Sequence, residues 1–121
     1  MVDNLIIAYS IIILAVIGFQ IALILGAPWG RITQGGAIDG ALPSKGRVIA
    51  GISIILLLGM IFAMNSISGG WPRWTGWLTV GINGIMCLLN WITRSQPERY
   101  IWGPITTVIL TLALMIILIS D

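Results

Sequence analysis

Leu5-Ile6-Ile7-Ala8-Tyr9-Ser10-Ile11-Ile12-Ile13-Leu14-Ala15-Val16-Ile17-Gly18-Phe19-Gln20-Ile21-Ala22-Leu23-Ile24-Leu25 is the stretch on which the fold turns. Apart from Ser10 and Gln20 it is apolar, and Asp3-Asn4 and Gly26-Ala27-Pro28 bound it. As a helix its 21 positions would measure about 31 Å, the thickness of a hydrocarbon core. Three more apolar runs follow, at about 48–67, 74–91 and 101–120. The whole chain has 121 residues, of which 58% are hydrophobic and 8% charged. Its mean hydropathy is +1.05. A soluble domain carries roughly 25% charged residues, so this chain cannot cover a water-facing globule and belongs in a bilayer. The expected fold is therefore all-α: an antiparallel up-down-up-down bundle of four transmembrane helices forming one domain over 1–121, with a compact loop at 26–47. A cleavable signal peptide is the rival reading of the first run. No cation precedes it, it is too long, and Gly26-Ala27-Pro28-Trp29 is a poor cleavage site, so we read it as a permanent span.

Charge sets the expected direction. Arg31, Lys45, Arg47, Arg94 and Arg99 lie in the first and third connections, against Arg73 alone in the second. The positive-inside bias then puts connections one and three in the cytoplasm and both termini outside. Trp71, Trp74 and Trp77 mark one membrane interface; Trp29, Trp91, Tyr100 and Trp102 mark the other.

Composition also excludes chemistry. The chain has no His and one Cys, which removes Ser-His-Asp and Cys-His catalysis, His-held haem, Cys/His zinc sites and an intramolecular disulfide. No cofactor is expected. Net charge is +2, and six scattered cations are too few for nucleic acid. A coupled transporter would usually place a titratable group at mid-membrane, and no span has a carboxylate there.

The third span carries a polar stripe. At about 100° per residue, Gly76, Thr79, Asn83, Cys87, Asn90 and Arg94 fall within an arc of roughly 80°. Such a face must turn inward, because lipid tails offer amides no partner. Gln20, Ser53, Thr106, Thr107 and Thr111 are partners at comparable depth. Two readings remain open: interhelical glue, or a polar cavity open to the cytoplasm. The candidate cavity residues are Gln20, Trp29, Asn83, Asn90, Arg94 and Glu98. Cys87 reads as an inert thiol, with nothing basic near it in sequence.

The two cationic connections look ordered. Loop 26–47 contains many glycines and two prolines, yet Trp29, Ile32, Ile38 and Leu42 give it apolar anchors, so it should fold against the helix ends. Its glycines can present N–H groups to an anion, though without phosphate-loop spacing. Ser44 is the expected cap of the second helix. Ser95-Gln96-Pro97-Glu98 fits a capping box, with Glu98 reaching back. The sharper role for Glu98 is proton acceptor or cation partner at the cavity mouth, where flanking Arg94 and Arg99 suit an ion pair better than a general acid. Pro104 is placed to bend the fourth helix toward the cavity.

Gly26-x-Pro28-Trp29-Gly30, Gly35-Gly36, Leu42-Pro43 with Arg47, and Asn90-x-x-Thr93-Arg94-Ser95-x-x-Glu98-Arg99 followed by Pro104 resemble a family of small bacterial four-span membrane proteins. The resemblance covers nearly the whole chain. It implies the four-helix architecture and a bacterial inner-membrane location, and it carries no chemistry.

Three functions fit the sequence. The first is a membrane protein that binds or passes a small molecule or lipid through a cytoplasm-facing polar cavity, with membrane lipids as partners. The second is an accessory or self-associating subunit using a Gly46, Ala50 and Ser53 small-residue face. The third is an enzyme acting on a lipid-like substrate through Glu98 or Asp39; four carboxylates and no His make it the weaker choice over a non-enzymatic role.

Overall fold

The computed structural model describes residues 2–120. Among them it has four long helices: α1 (Val2–Ile24), α2 (Ser44–Ser66), α3 (Arg73–Ile92) and α4 (Gln96–Ile119). Each is long and apolar enough to cross a membrane, so the protein is a multi-pass membrane bundle of all-α class. The short α2–α3 and α3–α4 connections force those pairs to run in opposite directions.

Most boundaries lie within a few residues of those expected. The exceptions are the start of α4, five residues early at Gln96 where the capping motif begins it, and the start of α2, four residues early at Ser44. Ser44-Lys45-Gly46-Arg47 is polar, and hydropathy alone assigns it to the loop. Helical backbone, however, extends past the apolar run into the interface, where water and headgroups solvate the charges. The expected cap fails for the same reason. Ser44 is the first helical residue, extended Pro43 is the cap position, and no side chain bonds there.

α1 lies between α2 and α4, and α3 packs chiefly on α4, while α2 touches α3 and α4 sparingly. Tyr9 and Ile13 of α1, Leu57 and Met64 of α2, and Ile109 and Ile116 of α4 fill the core. Ile11, Ile55, Phe62, Leu78 and Leu118 point outward. Outward apolar side chains cost nothing against lipid tails, so close packing and polar contacts must hold these helices together. Polar side chains link helices in this way: the Asn65 amide donates to Ser10 Oγ at 3.0 Å, Trp91 Nε1 to Thr107 Oγ1 at 2.8 Å, and the Asn83 amide reaches Tyr9 Oη of α1 at 2.9 Å. At Gly103 the Trp91 ring lies 3.0 Å from where a Cβ would stand, so a side chain there would push the indole back by a few tenths of an ångström.

The ends are fastened differently. At one end, Arg73 donates to the carbonyls of Ile117 and Ser120, setting a cation against the C-terminal dipole of α4. Trp71, Trp74 and Trp77 are exposed there. At the other end, Trp29, Trp91 and Tyr100 are exposed, but Trp102 turns inward rather than serving as an interfacial anchor. The Gly46 and Ala50 stripe is also covered. Both residues are buried within the chain near Leu42, because the connection from α1 folds over them. It therefore offers no free face to a second helix.

Candidate functional site

The connection between α1 and α2 is built of two 3-10 turns, Gly30–Ile32 and Gln34–Gly36. Gly35 (φ 82°) and Gly36 (φ 71°) occupy the left-handed region, as does Gln34 (φ 48°), an unusual conformation for a residue with a Cβ. At Gly36 a Cβ would stand 2.5 Å from that of Ser95, so this glycine is required twice over. Leu42 is buried as an anchor, whereas Trp29 and Ile38 are largely exposed.

Four hydrogen bonds pin this segment to other elements. Gln34 Nε2 donates to the Gly46 carbonyl of α2 at 2.9 Å. Gly35 N–H donates to Glu98 Oε2 at 3.1 Å. Ser95 Oγ donates to the Arg31 carbonyl at 2.5 Å, and Trp102 Nε1 to the Ile32 carbonyl at 2.7 Å. A loop rich in glycine thus becomes a fixed cover.

The capping motif is half formed. Ser95 Oγ accepts from Glu98 N–H at 3.3 Å, with Pro97 in the first turn. Glu98 does not complete the box, because its carboxylate reaches across to Gly35 and the Ser95 N–H turns to Thr93 Oγ1 instead. The anion received by the glycine-rich backbone is the chain's own. Arg99 is likewise engaged locally, donating to the Thr93 carbonyl at 3.1 Å.

Beneath the cover lies a cavity of about 640 Å³. α1 supplies Val16, Phe19 and Gln20, and α3 supplies Met86, Leu89, Asn90 and Ile92. Thr93 and Arg94 follow from the end of α3, and α4 adds Glu98, Trp102, Thr106 and Ile109. α2 contributes Ser53, and the cover adds Ile32 to Gly35. Four of the six candidate residues from the sequence therefore meet: Gln20, Asn90, Arg94 and Glu98. Asn83 does not line the cavity; it lies deeper, only 1% exposed, on Tyr9. Trp29 also stays outside, stacked on Phe19 with ring centroids 5.6 Å apart. Gln34 and Trp102 line the cavity without having been singled out for it. No sequence signal marks Gln34, and Trp102 resembles any interfacial tryptophan.

The polar groups differ in their freedom. Asn90 donates from Nδ2 to the Met86 carbonyl at 2.7 Å, which leaves Oδ1 as an acceptor. Thr106 and Ser53 satisfy their hydroxyls on carbonyls of their own helices. Glu98 is 5% exposed. Leu89 and Ile92 line the cavity yet are 55% and 64% exposed, so the chamber opens sideways along α3. Pro104 lies within an unbroken α4 and faces a second, apolar depression between α1 and α4, not this cavity. Asp39 is exposed and does not line the cavity. Among the described residues no three His, Cys, Asp or Glu gather as metal ligands. Comparisons with family models, curated proteins and solved structures found no match.

Proposed function

We propose that this protein binds an amphiphile, a membrane lipid or a small molecule of that character, in the covered cavity, and that the cavity faces the cytoplasm of a bacterial inner membrane. The observation that carries the reading is convergence. Gln20, Asn90, Arg94 and Glu98 come from three helices and the α3–α4 turn to one chamber whose other wall residues are largely apolar. A few placed polar groups in an apolar enclosure of this size are the usual form of a ligand site. The sidedness rests on the cation count, five at the covered end against Arg73 at the other. The bacterial setting rests on the resemblance to the small four-span family. An acid/base role for exposed Asp39 has no geometric support.

The test is native mass spectrometry of the protein extracted from bacterial membranes in dodecyl maltoside. The wild type should retain about one phospholipid per chain, and Gln20→Leu/Asn90→Leu should lower the apparent affinity by about tenfold or more, the loss of about 1.4 kcal/mol, and so visibly deplete the lipid-bound peak. The bond Asn90 makes is within its own helix, so melting should change little. Unchanged occupancy combined with lower melting would assign the amides to helix cohesion and refute the reading.

A further inference from the structure

The cavity holds two charges of opposite sign that are not paired with each other. Glu98 is 95% removed from solvent by its 5% exposure, yet only one hydrogen bond among the described residues reaches its carboxylate, from Gly35 N–H to Oε2. The other oxygen, Oε1, has no donor among the described residues and is not sealed off, so it stands open to a donor from the chamber. Arg94 lines the same chamber from the end of α3, nearer the exposed rim, and makes no hydrogen bond among the described residues. The neighbouring cation, Arg99, is directed to the Thr93 carbonyl. The chamber thus presents a buried anionic group and an exposed cationic one. Asn90 Oδ1, one turn before Arg94, adds an acceptor to the same lining. Its side opening runs along apolar Leu89 and Ile92.

We propose that the ligand is zwitterionic: a phosphoethanolamine-type head group, its primary ammonium on Glu98 and Asn90 and its phosphate on Arg94. Where it belongs to a phospholipid, the acyl chains leave along Leu89 and Ile92. The ammonium supplies the donors that the free carboxylate oxygen lacks, and a guanidinium is well suited to phosphate. A purely anionic head group would set a second negative charge beside Glu98, which the low dielectric of the chamber makes unfavourable. This inference rests on the cavity being the binding site and adds the head-group charge pattern to it.

The experiment titrates protein in dodecyl maltoside with dihexanoyl phosphatidylethanolamine, dihexanoyl phosphatidylglycerol and free phosphoethanolamine, read by calorimetry. The wild type should bind the ethanolamine lipid at least about tenfold more tightly than the glycerol lipid, the low end for a hydrogen bond to a charged group. Glu98→Gln keeps a neutral oxygen for Gly35 N–H, and the bonds from Gln34, Ser95 and Trp102 still hold the cover. This variant should weaken only the ethanolamine lipid and bring the two within about twofold, whereas Arg94→Gln should weaken both. Free phosphoethanolamine binding as tightly as the lipid would uphold the charge pattern and identify a soluble ligand. Equal wild-type affinities for the two lipids, or a preference that survives Glu98→Gln, would overturn the inference while leaving amphiphile binding intact. If no probe binds, the head-group inference is overturned, and lipid retained in the native mass spectrum decides the cavity reading separately. Should Glu98→Gln fail to fold, the wild-type preference decides alone.

Discussion

Replacing Glu98 by alanine removes the acceptor of a bond that ties positions 63 residues apart. Glu98 lies 5% exposed, whereas Gly35 is itself exposed, so water takes over part of the bond once the carboxylate is gone and the loss lies toward the low end of the range for such a bond. A hydrogen bond to a charged group contributes about 1.5–3 kcal/mol. If the cover opens as a local unit, the same amount is lost from its opening free energy, which corresponds to amide exchange about 10- to 150-fold faster. The assay is hydrogen–deuterium exchange of the protein in detergent, followed on peptides spanning 31–36. Three other bonds, from Gln34, Ser95 and Trp102, still hold the segment, so the change should be local and the helix cores should keep their protection. Glu98→Gln retains a neutral acceptor and should fall between wild type and alanine. Unchanged exchange in Glu98→Ala, or exchange raised equally throughout the bundle, would refute the view that this carboxylate fastens the cover.

Two further outcomes follow from the fold. Tyr9→Phe strands the Asn83 amide, whose Oδ1 already lacks a partner, and should cost about 1–2 kcal/mol in unfolding measurements in bicelles. Adding Asn83→Leu should recover most of that loss, because both polar groups are then gone; a double variant as weak as the sum of its parts would show the two residues to be uncoupled. For topology, alkaline phosphatase fused at either terminus should be active and a fluorescent protein fused there dark, since both require opposite compartments; the reverse pattern would overturn the sidedness drawn from Arg31, Lys45, Arg47, Arg94 and Arg99.

The four spans were legible because apolar runs of bilayer length have few other uses. The polar face of α3 was legible as a face, and Thr79 and Asn83 do turn inward. What the sequence could not separate was Asn83 from Asn90. They differ by only about 20° around the helix, yet one meets Tyr9 in the core and the other lines a chamber. That division depends on which residue of α1 stands opposite each, a fact of packing absent from the periodicity of α3. Trp29 and Trp102 pose the same difficulty: both precede glycine and both sit at one end, but the first is exposed and the second reaches the Ile32 carbonyl. The Glu98 motif was readable as a helix start, whereas its partner Gly35 lies in a segment with no period from which to align it.

α2 hardly meets α4 directly, yet Gln34 grips the first and its neighbours Ile32 and Gly35 grip the second. Residues 32–35 consequently act as a strut that fixes the spacing of two rods which would otherwise be free to splay. A flexible tether of the same length would conserve connectivity and span number but abolish that bracing, and the volume enclosed between the rods would cease to have a defined size.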